Sequence, residues 1–260
     1  MMGVSDVKFR TEQRTCEQHG EYTATCFPLA KREMWSDCPA CSEIARKEAE
    51  EQRQREHAAE QAKNRQERIE RNLQRIGIPH RFKTRTFDNF ESDTAPKVEA
   101  IRVARDFVDR FSAHSDEGTT VVFSGRPGTG KSHLACAMAT AIVSAGGTGL
   151  YATARELVLM LRDTWRDGAD RTERQMLEML VGIDILVIDE VGVGFGTEGE
   201  KTQFFDVIDG RYREQMPTIL LTNLDKRGLS EYIGQRAFDR LREGGIWVAF
   251  DWDSYRGRKA

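Results

Sequence analysis

The chain has 260 residues, enough for one substantial domain and a smaller appendage. Its 39 Lys and Arg against 42 Asp and Glu leave a formal charge of −3. That balance excludes a uniformly basic nucleic-acid binder, because neutralising phosphates takes clustered cations. With no apolar run of about 18 residues and no basic-then-apolar leader, the sequence points to a cytoplasmic protein without membrane contact.

Residues 1–42 hold four of the five cysteines, Cys16, Cys26, Cys38 and Cys41, and too few apolar residues for an independent core. In an intracellular chain such clustering favours metal over disulfides. Cys16-x-x-His19 and Cys38-Pro39-Ala40-Cys41 are two ligand pairs in which one tight turn aims both side chains at one ion. Two such pairs complete a tetrahedral Zn²⁺ site, structural in kind because four protein ligands leave no open position. Cys26 is the alternative fourth ligand in place of His19. Residues 43–76 are rich in Glu, Arg, Gln and Ala without Pro or Gly, which predicts a charged helix, about 50 Å long if fully formed. It lacks a repeated apolar seam and is expected to be a spacer, with Ile69, Leu73 and Ile76 at its end docking onto a neighbour.

From residue 77 to 260 the pattern is that of an alternating α/β domain. Strand-like runs at Thr119–Ser124, Gly149–Ala152, Ile185–Asp189, Thr218–Thr222 and Trp247–Phe250 alternate with helical stretches, which implies a central parallel sheet flanked by helices. Upstream of the first run, Phe87 and Phe90 are expected to pack near a base-binding pocket. Directly after it comes Gly125-Arg126-Pro127-Gly128-Thr129-Gly130-Lys131-Ser132, then a helix from His133. Strand, glycine loop and helix in that order mark a phosphate-binding loop. Its glycines turn backbone N–H groups onto phosphate oxygens, Lys131 brings a mobile charge, and Ser132 offers a Mg²⁺ ligand. The expected nucleotide-binding residues are therefore Gly125 to Ser132 together with His133.

Farther along, Trp165 stands among polar and charged neighbours, as a ring that stacks on unpaired bases would. The run Ile185–Ile188 ends in Asp189, expected to hold the Mg²⁺ shell, and Glu190, expected to orient or deprotonate the attacking water. Thr218–Thr222 ends in Asn223, a candidate for contacting that water or the γ-phosphate. The chain then shows Arg236-x-x-x-Asp239-Arg240-x-Arg242 and the closing Trp252-Asp253-Ser254-Tyr255-Arg256.

These motifs together resemble the DnaC-type helicase loaders of bacteria and their phages, a group of AAA+ ATPases. The resemblance covers about residues 77–258, and its most specific part is the closing Trp-Asp-Ser-Tyr-Arg run. It implies an α/β AAA+ P-loop NTPase preceded by a zinc unit and a charged helix. It also implies ATP with Mg²⁺ as cofactor, a hexameric replicative DNA helicase and single-stranded DNA as partners, and self-association into a ring or spiral. Arg240 matches the finger that reaches the γ-phosphate of a neighbouring subunit, with Arg236 and Arg242 as alternatives, and Arg256 matches the sensor arginine of its own chain. The glycine-rich loop after Glu190 matches a region bordering the DNA-facing pore, which makes Phe195 a second DNA candidate. The zinc unit would then dock the helicase, unlike the purely helical N-terminal unit of the enterobacterial type. An IstB-type helper of DNA transposition and a non-hydrolysing nucleotide-binding adaptor remain as alternatives.

Overall fold

The computed structural model describes residues 9–29, 32–194 and 197–256. Contacts divide the chain into two compact units, Met1–Arg65 and Gln66–Ala260.

The first unit is a three-stranded antiparallel sheet, β1 (Arg10–Cys16), β2 (Gly20–Leu29) and β3 (Arg32–Trp35), in that spatial order. A tight turn returns the chain so that Cys16 pairs with Gly20, whose φ of +79° suits a residue without a Cβ. Helix α1 (Pro39–Arg75) begins immediately after Cys38, with Pro in its first turn and Cys41 two residues later. Ala24, Cys26 and Cys38 are the buried residues among those described in this unit, too few to hold a fold by apolar burial alone. From Ser42 to Arg68 every residue of α1 is exposed, as its composition predicts.

The last ten residues of α1, from Gln66 to Arg75, belong to the second unit. There Leu73 packs on the core, Ile76 just beyond the helix is buried, and the Asn72 amide donates to the Gly147 carbonyl at 3.1 Å. The unit is built on β4 (Thr120–Gly125), β5 (Gly149–Thr153), β6 (Ile185–Val191), β7 (Thr218–Thr222) and β8 (Ile246–Phe250). All neighbouring pairs are parallel, and the spatial order is β5-β6-β7-β4-β8. Parallel strands need crossovers, which α4 (Lys131–Ser144), α5 (Ala154–Asp163), α6 (Glu173–Gly182), α7 (Glu198–Arg213), α8 (Lys226–Ile233) and α9 (Gln235–Arg242) form. Helices α2 (Ala95–Asp109) and α3 (Phe111–Asp116) precede the sheet.

Both sheet faces are covered, so the strands are continuously apolar. Val121 and Phe123 of β4 pack with Ala104 and Phe107 of α2 and with Leu134 and Met138 of α4. Val122, between them in sequence, faces the opposite side with Leu157 of α5, Phe204 and Val207 of α7 and Leu229 of α8. Each large side chain so buried contributes about 1.5–3 kcal/mol. Thr153, Thr172 and Thr197 start α5, α6 and α7 through reciprocal bonds with Glu156, Gln175 and Glu200, a pattern legible as Thr-x-x-Glu/Gln. Gly199, which ends the glycine-rich stretch from Gly192 expected to be a loop, is therefore helical.

Arg211 is 1% exposed and spends its guanidinium on backbone and on the Thr218 hydroxyl, which accepts from its Nε at 3.0 Å. It donates to the Leu180, Val181 and Ile183 carbonyls at 2.8, 3.1 and 3.0 Å, closing the end of α6. Burial pulls it down to about 9. Its role is architectural. Among the described residues no helix is long and apolar enough to cross a membrane.

Candidate functional site

The strand order brings the carboxyl ends of β4, β7 and β6 side by side, and with them Gly125, Asn223 and Asp189. Ligands of open α/β sheets bind at such ends. A cavity of about 1160 Å³ opens there, lined among others by Gly128, Lys131, His133, Asp189, Glu190, Asn223 and Arg256.

The phosphate-binding loop has the shape its glycines permit. Gly128 and Gly130 sit at φ +80° and +99°, and a Cβ on Gly128 would strike the Ser254 hydroxyl and the Arg256 stem. Gly130 leads straight into α4, which, unlike α5 to α8, carries no side-chain cap. Its first N–H groups are thus left for an anion. Lys131, 7% exposed, donates to the Gly125 and Arg126 carbonyls at 2.6 and 2.8 Å and to Asn223 Oδ1 at 2.9 Å. Burial lowers Lys131 to about 8, against the pull of Asp189, and Arg256 lowers it further. Arg126 lends the loop its carbonyl, which also accepts from the Thr129 hydroxyl at 2.8 Å. His133 stacks edge-on against Phe90 at 5.3 Å and bonds the Thr86 carbonyl at 2.8 Å through Nε2, so it packs the cavity wall. Phe90 is buried and lines the cavity, while Phe87 lies half-buried beneath Arg105.

The Ser132 hydroxyl donates to Asp189 Oδ2 at 2.8 Å. With its proton committed there, its lone pairs are left for a cation, and Ser132 and Asp189 are the residues that would hold a Mg²⁺. Glu190 is exposed at the cavity with φ +57°, a costly backbone for a residue with a Cβ, and its N–H donates to Asp189 Oδ1 at 2.6 Å.

The roles of four residues at this site, Tyr151, Trp252, Tyr255 and Lys97, escaped sequence reasoning. The Tyr151 hydroxyl donates to Asp189 Oδ2, and burial together with the Asp189 charge pushes its phenol far above the ordinary range. The Trp252 indole donates to the Thr129 carbonyl at 2.9 Å, and the Tyr255 N–H donates to the Gly128 carbonyl at 2.8 Å. Lys97, 2% exposed and paired with Asp93, lies 4.7 Å from the Tyr255 ring centre, and the Tyr255 hydroxyl donates to the Glu91 carbonyl at 2.9 Å. The closing run thus clasps the loop and carries Arg256 to the cavity. The aromatic content of that run was the available signal.

Arg240 lies elsewhere, outside its own chain's cavity. Its Nε donates to Asp209 Oδ1 at 3.0 Å and its guanidinium lies 4.4 Å from the Tyr212 ring centre. Arg236 lies over Phe205 at 4.5 Å, and Arg242 is exposed. Trp165, just beyond α5, is 62% exposed and donates its indole N–H to Glu173 Oε2 at 2.9 Å. Phe195 lies outside the described residues.

In the first unit the β1–β2 turn carries Cys16 and His19, and the start of α1 carries Cys38 and Cys41. Their ligand atoms all lie within 4.8 Å of one another. Cys16 Sγ stands 3.5 Å from Cys41 Sγ, and His19 Nδ1 lies 3.6, 3.8 and 3.2 Å from Cys16, Cys38 and Cys41. Tetrahedral zinc with bonds of about 2.0–2.3 Å spaces its ligands about 3.5–3.8 Å apart, so the donor set fits that ion. Its hydrogen bond with Cys16, partial burial and the Cys16 charge push Cys41 up to about 11. A dication would relieve that crowding. Cys26 stands apart from the set, buried in β2 opposite Arg10 and Trp35.

A parallel sheet ordered β5-β6-β7-β4-β8, with a glycine loop, a Ser–Asp pair and a polar strand end at one cavity, defines a P-loop nucleotide-binding domain of the AAA+ kind. The family of IstB-like ATP binding proteins matches residues 42–259, and the chain belongs to that family. It is homologous to the replicative helicase loader DnaC of Escherichia coli strain K12, with 34% identity over 202 residues covering 77% of this chain and 81% of the relative. Among solved structures, the DnaC helicase loader superposes with a TM-score of 0.60 at 23% identity, covering 66% of this chain and 99% of that one. The replication initiator DnaA bound to AMPPCP and single-stranded DNA superposes at 0.57 with 22% identity, over 68% of this chain and 51% of that one. These two likenesses speak to the fold.

Proposed function

We propose that this protein is an ATP-dependent loader that binds a hexameric replicative DNA helicase and delivers it onto single-stranded DNA. The observation that carries the reading is the 34% identity to a curated helicase loader across four-fifths of that loader's length. ATP binds through Gly125 to His133, with Arg256 contacting the nucleotide from its own chain. Lys131 holds the outer phosphates, Ser132 and Asp189 hold Mg²⁺, Glu190 activates the water, and Asn223 orients water or γ-phosphate. Arg240 acts on the nucleotide of a neighbouring subunit in a ring or spiral, so turnover by a lone subunit is slow and depends on assembly and DNA. Trp165, solvent-facing and beside Arg162 and Arg166, stacks on single-stranded bases, with Phe195 a second contact. The organisation is a helicase-docking unit at 1–42, a helical linker at 43–76 and the ATPase domain at 77–260, working in the cytoplasm.

The test is native mass spectrometry of the full chain with ATP and the replicative helicase of its own host. A defined complex with the intact hexamer is expected. An intact hexamer that leaves the protein unbound, while a transposase captures it, would overturn the loader in favour of a transposition helper.

Cys16, His19, Cys38 and Cys41 hold structural zinc in this reading. One Zn²⁺ per chain is expected by metal analysis, and Cys38→Ser is expected to lose it. Metal loss should make residues 1–42 sensitive to protease while the ATPase domain melts unchanged. His19→Ala is expected to lose the zinc as well, and full zinc content in that variant would instead put Cys26 in the site.

A further inference from the structure

We infer that Tyr151 is a positioning residue for the divalent-cation end of the nucleotide site, holding Asp189 in the orientation that receives the metal's shell. The inference rests on the Mg²⁺ role given to Ser132 and Asp189 above.

Tyr151 stands on β5, the strand beside β6, where Tyr151 pairs with Val187 and Thr153 with Asp189. Side chains alternate along a strand, so Tyr151 and Asp189 share a face, two residues out of step. A phenol spans that offset and a shorter side chain would not. The hydroxyl donates to Asp189 Oδ2, the oxygen that also accepts from Ser132 at 2.8 Å, while Oδ1 accepts the Glu190 N–H at 2.6 Å. Three donors from three elements therefore fix the carboxylate plane. A carboxylate has about four acceptor positions, so what remains faces the cavity, where a hydrated cation would meet it.

The ring is itself held. Tyr151 is 6% exposed within the core cluster, and its N–H donates to the Ile76 carbonyl at 2.6 Å. The donor is fixed before any ligand arrives, as an outer partner must be if it is to orient a ligand. Glu190 cannot replace it, because its N–H holds only the other oxygen. Nor can Ser132, whose oxygen is itself a candidate metal ligand. Loop amides and Lys131 meet the phosphates independently of Asp189. Loss of the hydroxyl should therefore weaken the metal's contribution and leave metal-free nucleotide binding alone.

The experiment uses the full chain and Tyr151→Phe, which keeps the ring. A fluorescent ATP analogue is titrated in EDTA and then across a Mg²⁺ series, followed by anisotropy. Metal-free affinity is expected within twofold of wild type, and the Mg²⁺ concentration for half-saturation is expected to rise about tenfold, the scale of a lost outer-sphere partner. A half-saturation point within twofold of wild type would overturn the inference, as would a parallel fall in metal-free affinity. A Tyr151→Phe chain that melts far below wild type would overturn it too, by making the hydroxyl architectural. If wild type itself shows no Mg²⁺-dependent nucleotide binding, the nucleotide assignment fails instead, which is a separate result.

Discussion

Replacing Lys131 with Ala is expected to weaken ATP binding by about a hundredfold or more, the scale of a lost charge-assisted contact to phosphate. The ammonium is almost fully buried, and its three partners on its own chain, two carbonyls and the Asn223 amide oxygen, are all neutral. A cation so placed is stabilised chiefly by an incoming anion. Without nucleotide, Lys131→Ala should therefore melt no lower than wild type, because it removes a desolvated charge. The rise in melting temperature that ATP gives wild type should vanish. Scanning fluorimetry with and without ATP reads both. Retention of the ATP-induced rise would show that the loop amides suffice.

Arg240→Ala is expected to have the opposite signature: affinity for ATP within twofold of wild type and turnover lower by about 10²–10³-fold. Arg240 stands outside its own cavity, braced by Asp209 and the Tyr212 ring, so nothing it touches contributes to its own nucleotide. Mixing gives the sharper reading. Lys131→Ala subunits keep an intact finger but no nucleotide, and Arg240→Ala subunits keep the nucleotide but no finger. Each is inactive alone, and the mixture should recover a substantial share of wild-type turnover. If the mixture stays inactive while Arg236→Ala reproduces the defect, Arg236 is the finger.

The five strands were legible because each is a short apolar run doubly covered by helices, and the observed bounds differ from the expected ones by at most two residues. Their spatial order was not legible, since periodicity says nothing about neighbours. That is why Asp189 could be singled out while Tyr151 could not. Asp189 announces itself at the end of Ile185–Ile188, whereas Tyr151 matters only once β5 is known to lie against β6. The bracing of Arg240 by Asp209 escaped for the same reason, being a contact between α7 and α9. In the N-terminal unit the Cys-x-x-His and Cys-x-x-Cys spacings were legible because one turn confines each pair. That the second pair straddles the first turn of α1 was not, because the glutamate-rich helix declares itself by composition only after residue 43.

The clasp of Trp252 and Tyr255 on the loop has a consequence for biogenesis. Thr129 and Trp252 are 123 positions apart, so the bond between them closes only after nearly all the intervening chain has been made and β8 has joined β4. A translation product or proteolytic fragment that stops short of Trp252 would carry every residue of the glycine loop and still lack its brace. The glycine loop is thus fully braced only in a chain made through its closing run.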